Sequence, residues 1–142
     1  MASYKINLEI IEIEKGNFHL FVHLKIGEKL CRLLLDTGAS KTVFDKTRVL
    51  RFVKEKKIKP HESKSVGLGV TEMETQIVRL KNVSIGKLSI KKLEVAVLNI
   101  SHVNDTYEQI NLPKIDGVLG SDFLMKYFAK IDFGKSVLLL KD

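Results

Sequence analysis

Leu33-Leu34-Leu35-Asp36-Thr37-Gly38-Ala39-Ser40 is the stretch on which the reading of this chain turns: three apolar residues that drive into an interior, then a carboxylate, a hydroxyl and a glycine. An unpaired carboxylate in a low-dielectric setting either neutralises or costs several kcal/mol. Stability alone gives no reason to keep one at the end of a buried strand, so the segment points to chemistry. The chemistry that suits it is activation of water by two carboxylates sharing one proton, because like charges at that distance cannot both ionise. One then acts as base and the other as acid. Thr37 can hydrogen-bond across such a site, and Gly38, without a Cβ, admits a second backbone at close range.

The motif extends beyond three residues. It continues as Asp-Thr-Gly-Ala-x-x-Thr-Val-Phe through Thr42, Val43 and Phe44, and a second element, Ile115-Asp116-Gly117-Val118-Leu119-Gly120, follows later in the chain. On these residues the sequence resembles the retropepsin-like aspartic proteases, over residues 18–128. The resemblance implies a mostly-β, single-lobe acid-protease fold: a closed β-barrel with two or three short helices. It implies Asp36 as the catalytic residue, set in a loop with Thr37, Gly38, Ala39 and Ser40. Val118, Leu119 and Gly120 are expected to pass beside that loop and lead into a short helix at Ser121-Asp122-Phe123-Leu124. Gly67, Leu68, Gly69 and Val70 fall where family members carry the substrate-covering flap, and glycines at a hairpin tip permit such motion.

One Asp-Thr-Gly in 142 residues implies one lobe, so the resemblance further implies a homodimer acting on a polypeptide, with no cofactor and no metal. Retroviral members carry acidic residues after Asp-Thr-Gly-Ala and an arginine just after the second-loop glycine. Here those places hold Ser40 and Ser121, which fits the cellular and bacterial branch of the family better. For Asp116 the expectation is a loop carboxylate or cap, set against a direct part in catalysis.

Length predicts a single domain over residues 1–142. Hydrophobic content of 44% and charged content of 29% are those of an ordinary globular chain, and no apolar run reaches the length of a membrane span. Met1 to Lys15 alternates apolar and charged residues instead of forming a basic and then an apolar block, so a cytoplasmic address is expected over a secretory one. Cys31, the only cysteine, sits in the apolar strand Leu30 to Leu35 and reads as a small buried hydrophobe. His19 and His23 lie in an alternating segment, where their spacing puts both on one face without making a metal site.

Net charge is +7, with a basic run from Lys46 to Lys64 that includes Lys54, Lys56, Lys57 and Lys59. A nucleic-acid partner is the reading this charge invites. With only Phe52 among those lysines, however, stacking platforms are lacking, and a solvated face is expected.

Period-two alternation places strands along most of the chain. Tyr4 to Ile13 reads as one long strand with a bulge near Ile10-Ile11, Glu14 to Asn17 as a turn, and Phe18 to Ile26 as a half-buried partner strand. After the Asp36 loop, Asp45 is placed as N-cap of a helix from Lys46 to Lys54, with Val49, Leu50 and Val53 at helical spacing. Thr71 to Ile77 is expected to return from the flap. Val78 to Ile85 and Leu88 to Ile100 form strands around Gly86-Lys87, the second apolar on both faces and therefore central. His102 to Pro113 reads as a short helix or loop, and Lys130 to Phe133 with Val137 to Leu140 as a terminal hairpin. Beside the protease stands a second reading, a catalytically idle protease-like domain that serves dimerisation or peptide binding, since a fold does not by itself confer activity.

Overall fold

The computed structural model describes residues 1–60 and 75–142. The expected flap residues Gly67, Leu68, Gly69 and Val70 lie outside the described residues, as does most of the expected return strand.

Strands run in chain order as β1 (Ser3–Asn7), β2 (Glu9–Glu14), β3 (Asn17–Ile26), β4 (Lys29–Leu35), β5 (Val43–Asp45), β6 (Lys59–Pro60), β7 (Gln76–Ile85) and β8 (Leu88–Leu98). Helix α1 (Ser101–Gln109), β9 (Gly117–Leu119), α2 (Ser121–Lys126), β10 (Lys130–Asp132) and β11 (Val137–Lys141) complete the chain. Neighbouring strands follow the order β3-β4-β9-β5-β8-β7, and β7 pairs back onto β3 at Lys25↔Ser84 and Ile26↔Val83, which closes a barrel of six strands. The fold is the mostly-β closed barrel that the sequence predicts.

Alternation explains which way each barrel strand faces. Val22, Leu24, Cys31, Leu33 and Leu35 on β3 and β4 point inward with Leu80, Val95 and Leu119, and all are buried. The opposite face of β3 and β4 presents Phe21 and Leu34, which α1 covers through Tyr107; Phe21, Ile100, Tyr107 and Ile115 form a second apolar cluster outside the barrel. The segment expected as helix or loop is thus a helix with a packing role. Asn104 on α1 fixes it by a reciprocal pair of hydrogen bonds, receiving the Ile115 N–H at 2.7 Å and donating to the Ile115 carbonyl at 3.0 Å.

Two local expectations are corrected. Tyr4 to Ile13 is two strands with no bulge at Ile10-Ile11: β1 joins β11 and β10 in a separate three-stranded sheet, while β2 joins β3, and the register irregularity falls at Glu12/Glu14. The break is at Leu8, whose N–H donates to the Ser136 carbonyl and whose side chain is buried, so the chain crosses from one sheet to the other there. Lys46 to Lys54 is not an α-helix but a 3₁₀ turn over Arg48–Arg51, followed by a second over Glu55–Lys57. Three residues per turn eclipse positions i and i+3, and this brings Arg48 and Arg51 to one carboxylate, that of Asp116. Asp45 ends β5 and still acts much as expected, its Oδ2 accepting the N–H groups of Thr47 and Arg48.

β8 lies between β5 and β7 with Val95, Ala96 and Val97 buried, the central position predicted from its two apolar faces. The terminal hairpin forms as expected from β10 and β11. Among the described residues no helix is long and apolar enough to cross a membrane.

Candidate active site

β4 delivers Asp36 to the rim of the barrel, and the loop behind it is fixed by backbone hydrogen bonds. β4 and β9 run parallel, in register Leu33↔Gly117, Leu34↔Val118 and Leu35↔Leu119. Past the end of that pairing the Asp36 N–H donates to the Leu119 carbonyl at 3.0 Å, the Ala39 N–H returns to the Asp36 carbonyl at 3.1 Å, and the Ser121 N–H donates to the Ala39 carbonyl at 2.7 Å. Val118, Leu119 and Gly120 therefore pass beside the Asp36 loop. The short helix after them is α2.

The carboxylate itself is exposed, as are Thr37, Gly38 and Ser40, with Ala39 half-buried. This corrects the expectation of a low-dielectric setting: within one chain, Asp36 stands at an open edge in contact with solvent. Its Oδ1 accepts the Gly38 N–H at 2.9 Å, which turns the side chain back over its own loop. The Thr37 hydroxyl has no partner among the described residues. Tyr107 lies within electrostatic reach: burial raises its phenol above the ordinary value, Arg32 opposes the shift and Asp36 adds to it.

Two glycines in the second element are there for space. Gly120 has an extended backbone that any residue adopts, yet a Cβ on it would stand 2.8 Å from the Ala39 carbonyl oxygen and 2.8 Å from the Lys41 carbonyl. At Gly117 a Cβ would meet the Val43 carbonyl oxygen at 2.2 Å. Backbone cannot yield as a flexible side chain does. Gly120→Ala is expected to push the loops apart and cost about 1–3 kcal/mol, the range for forced overpacking, read as a lower urea midpoint. An unchanged midpoint would show that the close approach is dispensable.

A buried hydroxyl locks the two loops. Thr42 is fully buried; its Oγ1 donates to Asp122 Oδ1 at 2.8 Å and accepts the Gly120 N–H at 3.1 Å, and its own N–H also reaches Asp122 Oδ1 at 2.9 Å. The sequence reading carried Thr42 as part of a motif and Asp122 as part of a helix, and did not bring them together. Their fixed offsets from Asp36 and Gly120 were the available signal. Lys41 adds an ion pair to Asp122 at 3.8 Å, so a charge contact joins the same two loops next to the places where Ser40 and Ser121 cannot form one.

Asp116 is a structural carboxylate. It is buried, receives Arg48 Nε at 2.8 Å and Arg51 Nη1 at 2.6 Å on Oδ1, and accepts the Arg32 N–H at 2.9 Å on Oδ2. Its backbone continues the tie, accepting the Asp45 N–H at 2.8 Å and donating to the Arg32 carbonyl at 2.7 Å. Of the two roles weighed for it, loop carboxylate is the one the geometry fits. Cys31 is buried beside it; burial pushes its thiol far up, and the Asp116 charge reinforces the shift. Such a thiol is inert, as expected of a small buried hydrophobe.

His19 and His23 share one face but serve different partners. His19 Nδ1 lies 2.8 Å from the Tyr107 hydroxyl, while His23 Nε2 lies 3.4 Å from Arg32 Nη1. Arg32 pairs with Glu9 and stacks on Phe21 at 4.1 Å from the ring centroid. Among the described residues no group of three His, Cys, Asp or Glu side chains is arranged to hold a metal ion.

A sequence profile described as aspartyl protease matches residues 22–123. No curated protein matches the chain. Among solved structures, the chain is similar to a retropepsin-like aspartic protease from Rickettsia conorii, at 17% identity and TM-score 0.55, covering 98% of this chain and 90% of that one. It is similar to the retroviral protease-like domain of Ddi1 from Leishmania major, at 19% identity and TM-score 0.59, covering 87% and 89%. EIAV protease in complex with the inhibitor HBY-793 aligns at 20% identity and TM-score 0.55, covering 87% of this chain and 100% of that one.

Proposed function

The chain belongs to the aspartyl protease family, and on that premise we propose that it is an aspartic endopeptidase, one retropepsin-like domain over residues 1–142 that acts as a homodimer. Two Asp36 carboxylates, one from each protomer, hold a water between them. One carboxylate takes a proton from that water as its oxygen attacks the peptide carbonyl. The other, protonated, hydrogen-bonds the developing oxyanion, and the leaving nitrogen is protonated as the C–N bond breaks. No covalent intermediate is required.

What carries this reading is the Asp36 loop: a carboxylate on a backbone-locked loop, exposed at the barrel rim, with one such loop per chain. An exposed lone carboxylate is a weak base for water, whereas a second one brought against it raises the proton affinity of the pair. The unpartnered Thr37 hydroxyl beside it supports a contact across the two-fold axis. Gly67 to Val70 are proposed as the flap that shields the site from bulk water. A polypeptide is the substrate, and neither cofactor nor metal takes part; a cytoplasmic address belongs to the same proposal.

The test is cleavage of a mixed peptide library between about pH 3 and pH 8, with Asp36→Asn protein as blank. Only one of the three charge states of the pair is competent, so rate should rise and then fall with pH. Activity per chain should also climb with protein concentration until the dimer saturates, by mass action. Constant specific activity down to concentrations where the protein sediments as a monomer would refute the shared site. No cleavage above blank from folded, dimeric protein would leave a peptide-binding module.

A further inference from the structure

We infer that the chain carries a second binding site, remote from the Asp36 loop, for an extended polypeptide segment in which acidic residues alternate with aliphatic ones. The site is a cavity of about 760 Å³ between the 3₁₀ segment and β7. None of residues 36–40 or 117–122 lines it. Three features define what would fill it.

The first is charge. Lys54, Lys56, Lys57, Lys59, Lys81 and Lys92 line the cavity, each is exposed, and among the described residues none of the six forms an ion pair and no acid lines the cavity. Two of them are opposed by register: Lys81 sits directly across from Lys92 on the β7–β8 ladder. Like charges in that position destabilise a sheet. An anionic occupant would relieve the repulsion.

The second is a strand edge. One side of β7 pairs with β8 along Gln76–Lys81 and Val83–Ile85, but on the other side β6 pairs only at Gln76 and Ile77 and β3 only at Val83 and Ser84. Between them Val78–Lys81 has no strand beside it among the described residues. Two strands do lie along its line at either end, so an added segment would continue a ladder already begun. Strand addition of this kind supplies backbone hydrogen bonds that a nucleic acid or a lipid cannot provide.

The third is the apolar lining: Phe52, Val53 and Ile77 are half-buried at the cavity, and the barrel-core residues Ile26 and Val78 reach it only with a small part of their surface. Alternate aliphatic side chains of an extended peptide would pack there while the others reach the lysines. Phe52, the one aromatic, is already engaged edge-on with Phe44 and beneath the Arg51 guanidinium. Base stacking, on which single-stranded nucleic acid binding relies, therefore has little to use.

The experiment is fluorescence anisotropy on the full chain with a labelled peptide of alternating glutamate and valine. The triple variant Lys57→Gln/Lys81→Gln/Lys92→Gln should weaken binding at least tenfold, while the control triple Lys114→Gln/Lys130→Gln/Lys135→Gln, equal in net charge, changes it less than twofold. All six positions are exposed, so both proteins should fold, and thermal melting verifies this. Backbone N-methylation of alternate residues in the peptide should weaken binding as well, without altering charge. Equal losses in the two triples, equal binding of a glutamine–valine peptide, or full binding of the N-methylated peptide would overturn the proposal. Tighter binding of oligothymidylate, with the same loss in the first triple, would overturn it in favour of nucleic acid. Because the readout is binding, the result stands whether or not the chain cleaves peptides.

Discussion

Under the proposed mechanism Asp36→Asn is expected to lower kcat/KM for peptide hydrolysis by about 10²–10⁴-fold and to leave the fold intact. The magnitude follows from the step removed: an amide cannot accept a proton from water, and positioned proton transfer contributes about 10²–10⁴-fold in rate. The fold survives because of what the side chain does in one protomer. Asp36 is exposed and its contact among the described side-chain hydrogen bonds is with the Gly38 N–H, which the amide oxygen of asparagine accepts equally well. Stability should change by no more than about 0.5 kcal/mol, as for surface substitutions away from special features. If the proposed homodimer forms, the variant's should be at least as stable as the parent's, since two carboxylates would no longer face one another. Steady-state cleavage beside a urea titration separates the two effects; a variant that cleaves at the parent's rate removes Asp36 from the chemistry.

Asp116→Ala is expected to unfold the protein far more readily, by about 3 kcal/mol. Breaking a buried ion pair by removing one partner costs about 3–5 kcal/mol, and the low end applies because Arg48 and Arg51 keep 26% and 45% side-chain exposure and regain water. The Arg32 N–H regains nothing: it is buried and loses its acceptor, a penalty of about 1–3 kcal/mol contained within that total. In a chain of this size the melting temperature should fall by about 10 °C. Asp116→Asn, which keeps an oxygen for the Arg32 N–H, should cost less. Glu94→Gln serves as the contrast, because its pair with Arg79 is exposed on both sides and such pairs contribute about 0–1 kcal/mol. Loss of activity from Asp116→Ala without loss of stability would reverse the structural assignment and return Asp116 to the chemistry.

The candidate site was partly legible in the sequence because its requirements are local. Asp36, Thr37 and Gly38 are contiguous, and the second element is marked by glycines that tolerate no Cβ. The Thr42–Asp122 lock was not legible, since a threonine within a loop and an aspartate at a helix start are common and only their meeting gives them meaning. The basic run from Lys46 showed as charge and no more. That Lys81 and Lys92 face each other across a ladder and join that charge around one cavity depends on strand register.

What the sequence by itself determined is whatever depends on the spacing of neighbours. Alternation set the inward and outward faces of β3, the two apolar faces of β8 marked it as central, and an isolated cysteine among leucines read as a small buried hydrophobe. What only the tertiary structure decided involves partners far apart along the chain. The parallel pairing of β4 with β9 and the return of β7 to β3 close the barrel. Leu8, not Ile10-Ile11, is where the first strand divides, because Ser136 and β11 lie beside it. Arg48 and Arg51 lie on a 3₁₀ turn where helical spacing suggested an α-helix, and both meet the buried carboxylate of Asp116, a partner far along the chain. Periodicity reports which side of an element is apolar, whereas the partner that covers that side is chosen by contacts between segments that the spacing of neighbours does not encode.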